Sequence, residues 1–149
     1  MDPIVVGVFP RNRTQVVAGE ISEFNDTVHA HIRVLAMTVD GGLAHTRKGV
    51  SMPLNCVPAV RDAIHKLADV IGPGRTTGVI DVGREQIRVG TVLFNDLMYL
   101  DVRRYFEKGG EWHPTSKGVM VRPQYVDQLI KLADELAVAA ASIESGSAS

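Results

Sequence analysis

The sequence contains an internal repeat with a period of about 70 residues. Three short segments of the first half recur in the same order in the second half. The matching pairs are Phe-Asn-Asp at 24–26 and 94–96, Lys-Gly-Val at 48–50 and 117–119, and Lys-Leu-Ala-Asp at 66–69 and 131–134. Three anchors at nearly one offset indicate that the chain is a tandem duplication of one folding unit.

A single unit of this length buries only about 60 % of its unfolded surface and is marginally stable alone. We therefore expect the two copies to pack on each other as an intramolecular pseudo-dimer, which makes the whole chain a monomer. The predicted organisation is a first repeat at residues 1–72, a linker at 73–78, a second repeat at 79–141 and a flexible Ser/Gly-rich tail at 142–149.

Composition places the chain among ordinary globular proteins, with 45 % hydrophobic and 22 % charged residues. A single cysteine excludes an internal disulfide framework and favours an intracellular location, in the cytoplasm, nucleoid or nucleus. The first residues do not resemble a signal peptide, and no apolar run approaches the roughly 20 residues of a membrane span. Since the net charge is −1, any site for a polyanion has to come from a local cluster of basic residues.

Each copy has the pattern of several antiparallel strands followed by one helix, which predicts the α+β class. Asn-Asp pairs at 25–26 and 95–96 predict tight turns, and Pro58 and Pro123 predict helix starts. Wide apolar helix faces predict that the two helices pack together. The predicted strands are residues 4–9, 15–24, 28–37 and 49–52 in the first copy, and 79–82, 87–94, 98–106 and 119–122 in the second.

The second copy carries an ordered set of residues that resembles a known family. The set comprises Phe94, Asp101, Val102, Arg103, Tyr105, Phe106, Gly110, Glu111, Pro114, Lys117, Gly118, Val119 and the helix opened by Pro123. Over residues 79–136 it is similar to the DNA-binding domain of positive cofactor four, a family of transcriptional coactivators that bind single-stranded DNA. Residues 5–71 resemble it more weakly. The resemblance implies a four-stranded sheet with a C-terminal helix, helix-mediated pairing of two units, and channels for single strands.

The resemblance also implies the binding residues, in which aromatic rings stack on bases and basic side chains contact phosphates. Such an arrangement suits single strands, because each base stack contributes about 1–3 kcal/mol. Strand alternation puts Arg103 and Tyr105 on one face and Phe106 on the other. Since the resemblance implies that Phe106 is on the DNA-binding side, a bulge or twist is expected near Phe106. The predicted nucleic-acid-binding residues are Phe94, Arg103, Tyr105, Phe106, Trp112 and Lys117 in the second copy, and Phe24, Arg33, Arg47 and Lys48 in the first.

The first copy departs from the family pattern, since Ala36 or Met37 stands where an aromatic residue is expected. Basic residues expected after the first phenylalanine are also replaced, by Asn95 and Leu97 in the second copy. These departures predict that the second copy contributes most of the binding and that the salt dependence is shallow.

Other interpretations remain open at this stage. Tyr105 and Trp112 could pack in a core as well as bind, and a protein-interaction module of the same fold is the alternative function. His29, His31 and His45 could approach one another, but they lack the usual set of zinc ligands. No motif for a nucleophile or for acid–base catalysis is present, so we expect a non-enzymatic protein without cofactor or metal. The expected partners are single-stranded DNA, with RNA as a second candidate, and proteins of transcription or repair.

Overall fold

The computed structural model describes residues 3–147 and, over these residues, contains two four-stranded antiparallel sheets, each followed by a helix. The first copy comprises β1 (Ile4–Pro10), β2 (Gln15–Phe24), β3 (Thr27–Met37), β4 (Leu43–Pro53) and α1 (Val57–Lys66). The second comprises β5 (Thr76–Val82), β6 (Glu85–Phe94), β7 (Leu97–Lys108), β8 (Glu111–Val121) and α2 (Val126–Ser147). The predicted α+β class, with two copies packed on each other, is confirmed.

Each sheet is a simple meander in which strands that follow one another in the sequence are neighbours in space. The central hairpin of each copy turns at the Asn-Asp pair, where Asn25 and Asp26 have φ angles of 52° and 62° and Asn95 and Asp96 have 51° and 62°. Two consecutive positive φ angles belong to the hairpin turn whose twist matches that of the strands. Asparagine and aspartate tolerate this conformation better than other non-glycine residues, so the turn prediction is confirmed in both copies.

Each helix packs on the sheet of the other copy. Helix α1 packs on β5 and β6 of the second sheet, and α2 packs on β1 and β2 of the first. Close contact needs glycine: a Cβ at Gly78 would lie 2.5 Å from Cβ of Ala63, and a Cβ at Gly7 would lie 2.9 Å from Cδ1 of Leu132. The two helices also contact each other. The inner sheet faces and the helices therefore form one hydrophobic core that draws on both copies.

A polar cluster joins the helices at the edge of this core. Asp134 of α2 accepts hydrogen bonds from Nε of Arg61 at 2.8 Å and from Nε2 of His65 at 2.7 Å, both on α1. The hydrogen bond from His65, and then that from Arg61, lower the pKa of Asp134 in spite of some desolvation. The cluster fixes the register of one helix against the other.

Several element boundaries differ from those that the sequence predicts. Strands β4 and β8 begin earlier than residues 49 and 119, because their first halves are exposed and polar and lack a strand-like apolar pattern. Strand β5 begins at Thr76, so the linker predicted at 73–78 is shorter. Helix α2 continues to Ser147, past the tail predicted from residue 142, because Ala139 and Ile143 still pack against the core. The rest of that tail lies outside the described residues.

A chain cut in the linker after Gly74 should not yield two independent monomers. Each sheet would lose the helix that covers it, since α1 belongs to one fragment and the sheet beneath it to the other. We expect the fragments to remain associated under native conditions, and each expressed alone to dimerise or aggregate. Analytical ultracentrifugation of the cut chain and of each fragment tests this. Two well-folded monomeric fragments would contradict the exchanged arrangement, and an uncut chain that is an obligate dimer would contradict the expected monomer.

Candidate nucleic-acid interface

The side chain of Arg103 lies against the surface of the second sheet, on the face opposite the hydrophobic core. Arg103 of β7 pairs across the sheet with Gly118 of β8, and a Cβ at that glycine would lie 2.6 Å from Cζ of the guanidinium. Arg103 donates to Asp101, with Nη2 to Oδ1 at 3.0 Å, and to the backbone oxygen of Thr115 at 2.8 Å. Burial raises the pKa of Asp101, and the hydrogen bond and charge of Arg103 oppose that rise. Gly118 of the Lys-Gly pair has no side chain and therefore leaves the space in which Arg103 lies.

The first sheet repeats this arrangement with a different carboxylate. Arg33 pairs with Gly49, where a Cβ would lie 3.1 Å from Cγ of the arginine. Its Nε lies 3.6 Å from Oε1 of Glu20, which is buried and also accepts a hydrogen bond from Nε2 of His45 at 2.9 Å. The carboxylate comes from β2 in the first copy and from β7 in the second. Both arginines are thus held in place by a contact with a carboxylate.

A bulge in the last strand of each sheet presents a lysine beside the glycine. Residues 46–48 of β4 and 115–117 of β8 stand where the register shifts, opposite single residues of β3 and β7. Thr115 holds its bulge by donating to the oxygen of Arg104 at 2.9 Å and accepting from the amide of Lys117 at 3.1 Å. Thr46 makes the same two bonds in the first copy, at 2.7 Å and 3.1 Å. Lys48 and Lys117 are consequently exposed.

Two open grooves run along the junction where β4 packs against β8. The first, here called the aromatic groove, has a volume of about 440 Å³. Its charged and aromatic lining residues are Arg11, Lys48, Phe94, Tyr99 and Arg103. The rings of Phe94 and Tyr99 lie edge to face with centroids 6.4 Å apart, and the side chain of Phe94 is 54 % exposed. This groove offers a free aromatic face beside basic side chains.

The second, here called the cationic groove, has a volume of about 790 Å³. Its charged lining residues are Arg33, Arg47, Arg84, Glu85, Arg104 and Lys117. Arg104 is engaged, since it donates to the oxygen of Ser51 at 2.8 Å and pairs with Glu85 at 3.2 Å. Among the residues that the structure describes, none of those lining this groove is aromatic.

Each groove combines residues of both copies. Arg103 of the second sheet faces Lys48 and Arg11 from the first copy, whereas Arg33 of the first sheet faces Lys117 and Arg84 from the second. Arg11 and Arg84 lie in equivalent hairpins, and Nε of Arg11 donates to the oxygen of Met120 at 2.8 Å across the junction. The sequence resemblance listed Lys117 with Arg103 in the second copy and Lys48 with Arg33 in the first. In the structure each lysine instead lines the groove that contains the arginine of the other copy. This exchange arises because the two bulges meet at the junction of the sheets.

The other predicted aromatic residues of the second copy, Tyr105, Phe106 and Trp112, do not line the aromatic groove. Tyr105 shares the outer face with Arg103, and the guanidinium of Arg88 covers both its ring, at 4.7 Å, and that of Trp112, at 5.7 Å. Phe106 lies on the opposite face, with its ring 5.5 Å from that of His113. The bulge or twist expected to turn Phe106 toward the face of Arg103 is not found at Phe106: the pairing of β6 with β7 stays in register through Phe106, and the register shift of β8 lies opposite Arg104.

Phe24 and Phe94 occupy equivalent positions in the repeat but have different surroundings. Phe24 ends β2 with 71 % of its surface exposed and lines neither groove. The difference follows from the neighbour on the next strand, where Tyr99 of the second copy supports Phe94 and His29 is the counterpart in the first. Of these two equivalent phenylalanines, Phe94 lines the aromatic groove and Phe24 lines neither of the two grooves.

Sequence reasoning missed four basic or aromatic lining residues: Arg11, Arg84, Tyr99 and Arg104. Tyr99 could have been found, because it lies two and four residues before Asp101 and Arg103 and so shares their strand face. The three arginines gave no such signal. Each reaches its groove only through the packing of the sheets against each other.

His31 is a buried histidine between the two serines Ser22 and Ser51, with its ring nitrogens 2.6 Å and 2.7 Å from their hydroxyl oxygens. Nη2 of Arg33 lies 3.1 Å from Nδ1. Because a guanidinium can only donate, Nδ1 accepts and the ring is neutral. Burial, and then the charge of Arg33, lower the pKa of His31 to about 4.

Stability should accordingly depend on pH between about 6.5 and 4. The unfolded chain takes up a proton at His31 near pH 6.5, whereas the folded chain resists it until about 4. The free energy of unfolding should therefore fall as the pH is lowered through this window, by up to about 3 kcal/mol from this residue. Urea unfolding at pH 7 and pH 4.5 measures the difference.

Matched substitutions separate this effect from other titrations. His31→Gln should flatten the dependence on pH, whereas the same substitution at His113, in the other copy, should leave it in place. An unchanged pH dependence in His31→Gln would show that another group is responsible.

Two other kinds of site receive no support from the geometry. Among residues 3–147, no three His, Cys, Asp or Glu side chains are placed to hold a metal ion together. Within the same residues, no helix is long and apolar enough to cross a membrane.

The fold and the grooves define a class: two sheet-and-helix units in one chain, with cation-lined grooves at their junction. The sequence model of the family described as Transcriptional Coactivator p15 (PC4) matches residues 84–132. That region spans 49 of the 149 residues and lies in the second copy. It includes the predicted binding residues of that copy, from Phe94 to Lys117. The first copy lies outside the match, and its resemblance to the family stays a prediction.

Comparison with solved structures finds a partial likeness to a PC4 homolog from Burkholderia pseudomallei. The sequence identity is 25 %, the likeness covers 42 % of this chain and 86 % of that chain, and the TM-score is 0.35. No curated protein matches the chain.

Proposed function

We propose that this protein binds single-stranded nucleic acid, with DNA preferred over RNA, and acts without catalysis in transcription, replication or repair. The aromatic groove carries the proposal, because the exposed ring of Phe94 lies in one groove with the basic side chains of Lys48 and Arg103. Single strands bind where stacking faces accompany a basic track. The match of residues 84–132 to a coactivator family supports the same function.

Duplex DNA does not fit this mechanism, since its bases are already stacked on each other. Fluorescence anisotropy with labelled oligothymidine, a blunt duplex and a single-stranded RNA, each at two salt concentrations, tests the proposal. We expect the single strands to bind more tightly than the duplex. The salt slope should be shallow, because each phosphate contact on a single strand contributes only about −0.7 and few cations line the groove.

Two results would count against the proposal. Equal affinity for the blunt duplex would exclude stacking as the basis of binding. Absence of binding to all three probes at low salt would favour the alternative, a protein-interaction module of the same fold.

We also propose that the protein acts as an intracellular monomer. The two copies already supply the helix pairing and the two grooves that separate subunits would have to provide. Sedimentation at several protein concentrations, with and without oligothymidine, tests the oligomeric state.

A further inference from the structure

The lining of the cationic groove differs from that of the aromatic groove, although duplicated segments form both. We propose that it is a second contact for nucleic acid, one that binds the sugar–phosphate backbone and makes no use of the bases. The inference rests on the proposed function and deepens it, by assigning a ligand chemistry to the groove that lacks aromatic side chains.

Charge is the first argument. Five cationic side chains and one carboxylate line the groove, although the chain as a whole has a net charge of −1. A concave surface with one dominant sign of charge concentrates the opposite charge within it. The ligand is therefore an anion, and the volume of about 790 Å³ accommodates an extended one.

Availability is the second argument. Arg33 and Arg104 are paired with Glu20 and Glu85, at 3.6 Å and 3.2 Å. Within residues 3–147, by contrast, the side chains of Arg47, Arg84 and Lys117 make no hydrogen bond or ion pair. These three come from two bulges and a hairpin that meet at the junction, so they converge without neutralising one another. They are free to neutralise phosphates.

The absence of rings among the lining residues is the third argument. Base recognition on single strands uses aromatic stacking, and phosphate contacts position a strand without reading it. Trp112 borders a neighbouring depression with Arg84 and Glu85, but Arg88 covers its ring. The groove thus offers charge without a stacking surface.

An abasic strand, with a tetrahydrofuran site in place of every base, tests the proposal on the full chain. We expect it to bind at low salt, because its phosphates remain. The double variant Arg47→Ala/Arg84→Ala should weaken this binding and reduce the salt slope by about 1.4, since each lost phosphate contact removes about 0.7. Phe94→Ala should leave the affinity for the abasic strand unchanged.

The control for charge is Arg13→Ala/Lys131→Ala, which removes the same charge from two exposed side chains that line neither groove. It should retain the salt slope. Equal losses in the control and in Arg47→Ala/Arg84→Ala would overturn the proposal, because binding would then follow net charge alone. Absence of abasic binding at low salt, or loss of that binding in Phe94→Ala, would also overturn it.

Oligothymidine separates failure of this inference from failure of the proposed function. Loss of abasic binding with intact, Phe94-dependent binding of oligothymidine leaves the proposed function standing. Abasic binding that depends on Arg47 and Arg84, with no additional affinity for oligothymidine, supports the backbone site and contradicts the stacking function.

Discussion

Phe94→Ala should weaken the binding of oligothymidine by about 1–3 kcal/mol, which is the usual cost of losing one base–aromatic stack. Phe94 is 54 % exposed at the end of β6, and its ring meets that of Tyr99 edge to face, so we expect its removal to leave the fold intact. Fluorescence anisotropy with oligothymidine measures the change in affinity.

The matched control for this substitution is Phe24→Ala. Phe24 is the counterpart in the first copy, is more exposed at 71 %, and lines neither groove. The control should bind almost as tightly as the native chain. Equal losses in the two variants would mean that both copies stack bases, and the assignment of stacking to the aromatic groove alone would be wrong.

Leu132→Ala should lower the free energy of unfolding by about 2–5 kcal/mol, the range for large-to-small substitutions in a core. Leu132 is 1 % exposed, and its side chain fills the space above Gly7 and Gly19 of the first sheet. Although it belongs to the second copy, its loss should expose the amides of β1 and β2 to hydrogen exchange. Urea unfolding and exchange together measure the effect.

Val138→Ala is the control on the same helix, since Val138 is 69 % exposed and its substitution should change stability little. Native unfolding should occur in one transition, because the two copies share a core. Two separate transitions, or a destabilisation confined to the second copy, would show that the copies fold independently.

Much of the fold could be predicted from the sequence because its signals are local. The Asn-Asp turns, the strand alternation between Arg103 and Phe106, and the proline near the start of each helix each depend on a few neighbouring residues. The repeat then carried these assignments from one copy to the other. The strand starts that were misplaced by the most residues, at β4 and β8, are exposed and polar, so they lack the apolar periodicity on which such assignments rest.

The site was less predictable, because it forms between the copies. Phe94, Lys48 and Arg103 were identified from the resemblance, but nothing in the sequence shows that Lys48 serves the groove of Arg103 rather than that of Arg33. The same limit hid Arg11 and Arg84, which reach the grooves by packing of one sheet against the other. Phe106 shows the reverse case: strand alternation alone placed it correctly on the face opposite Arg103.

The exchange of lysines between the grooves links ligand binding to assembly of the fold. A strand in the aromatic groove would touch Lys48 from one copy and Phe94 from the other, so it would bind only while the two copies are docked. By mass action, a ligand that binds only this docked state raises its stability by RT ln(1 + [L]/Kd), or about 2.7 kcal/mol at a hundredfold excess over Kd. A bound strand would thus hold the two copies together reversibly. The melting temperature of the whole chain would rise with the occupancy of either groove.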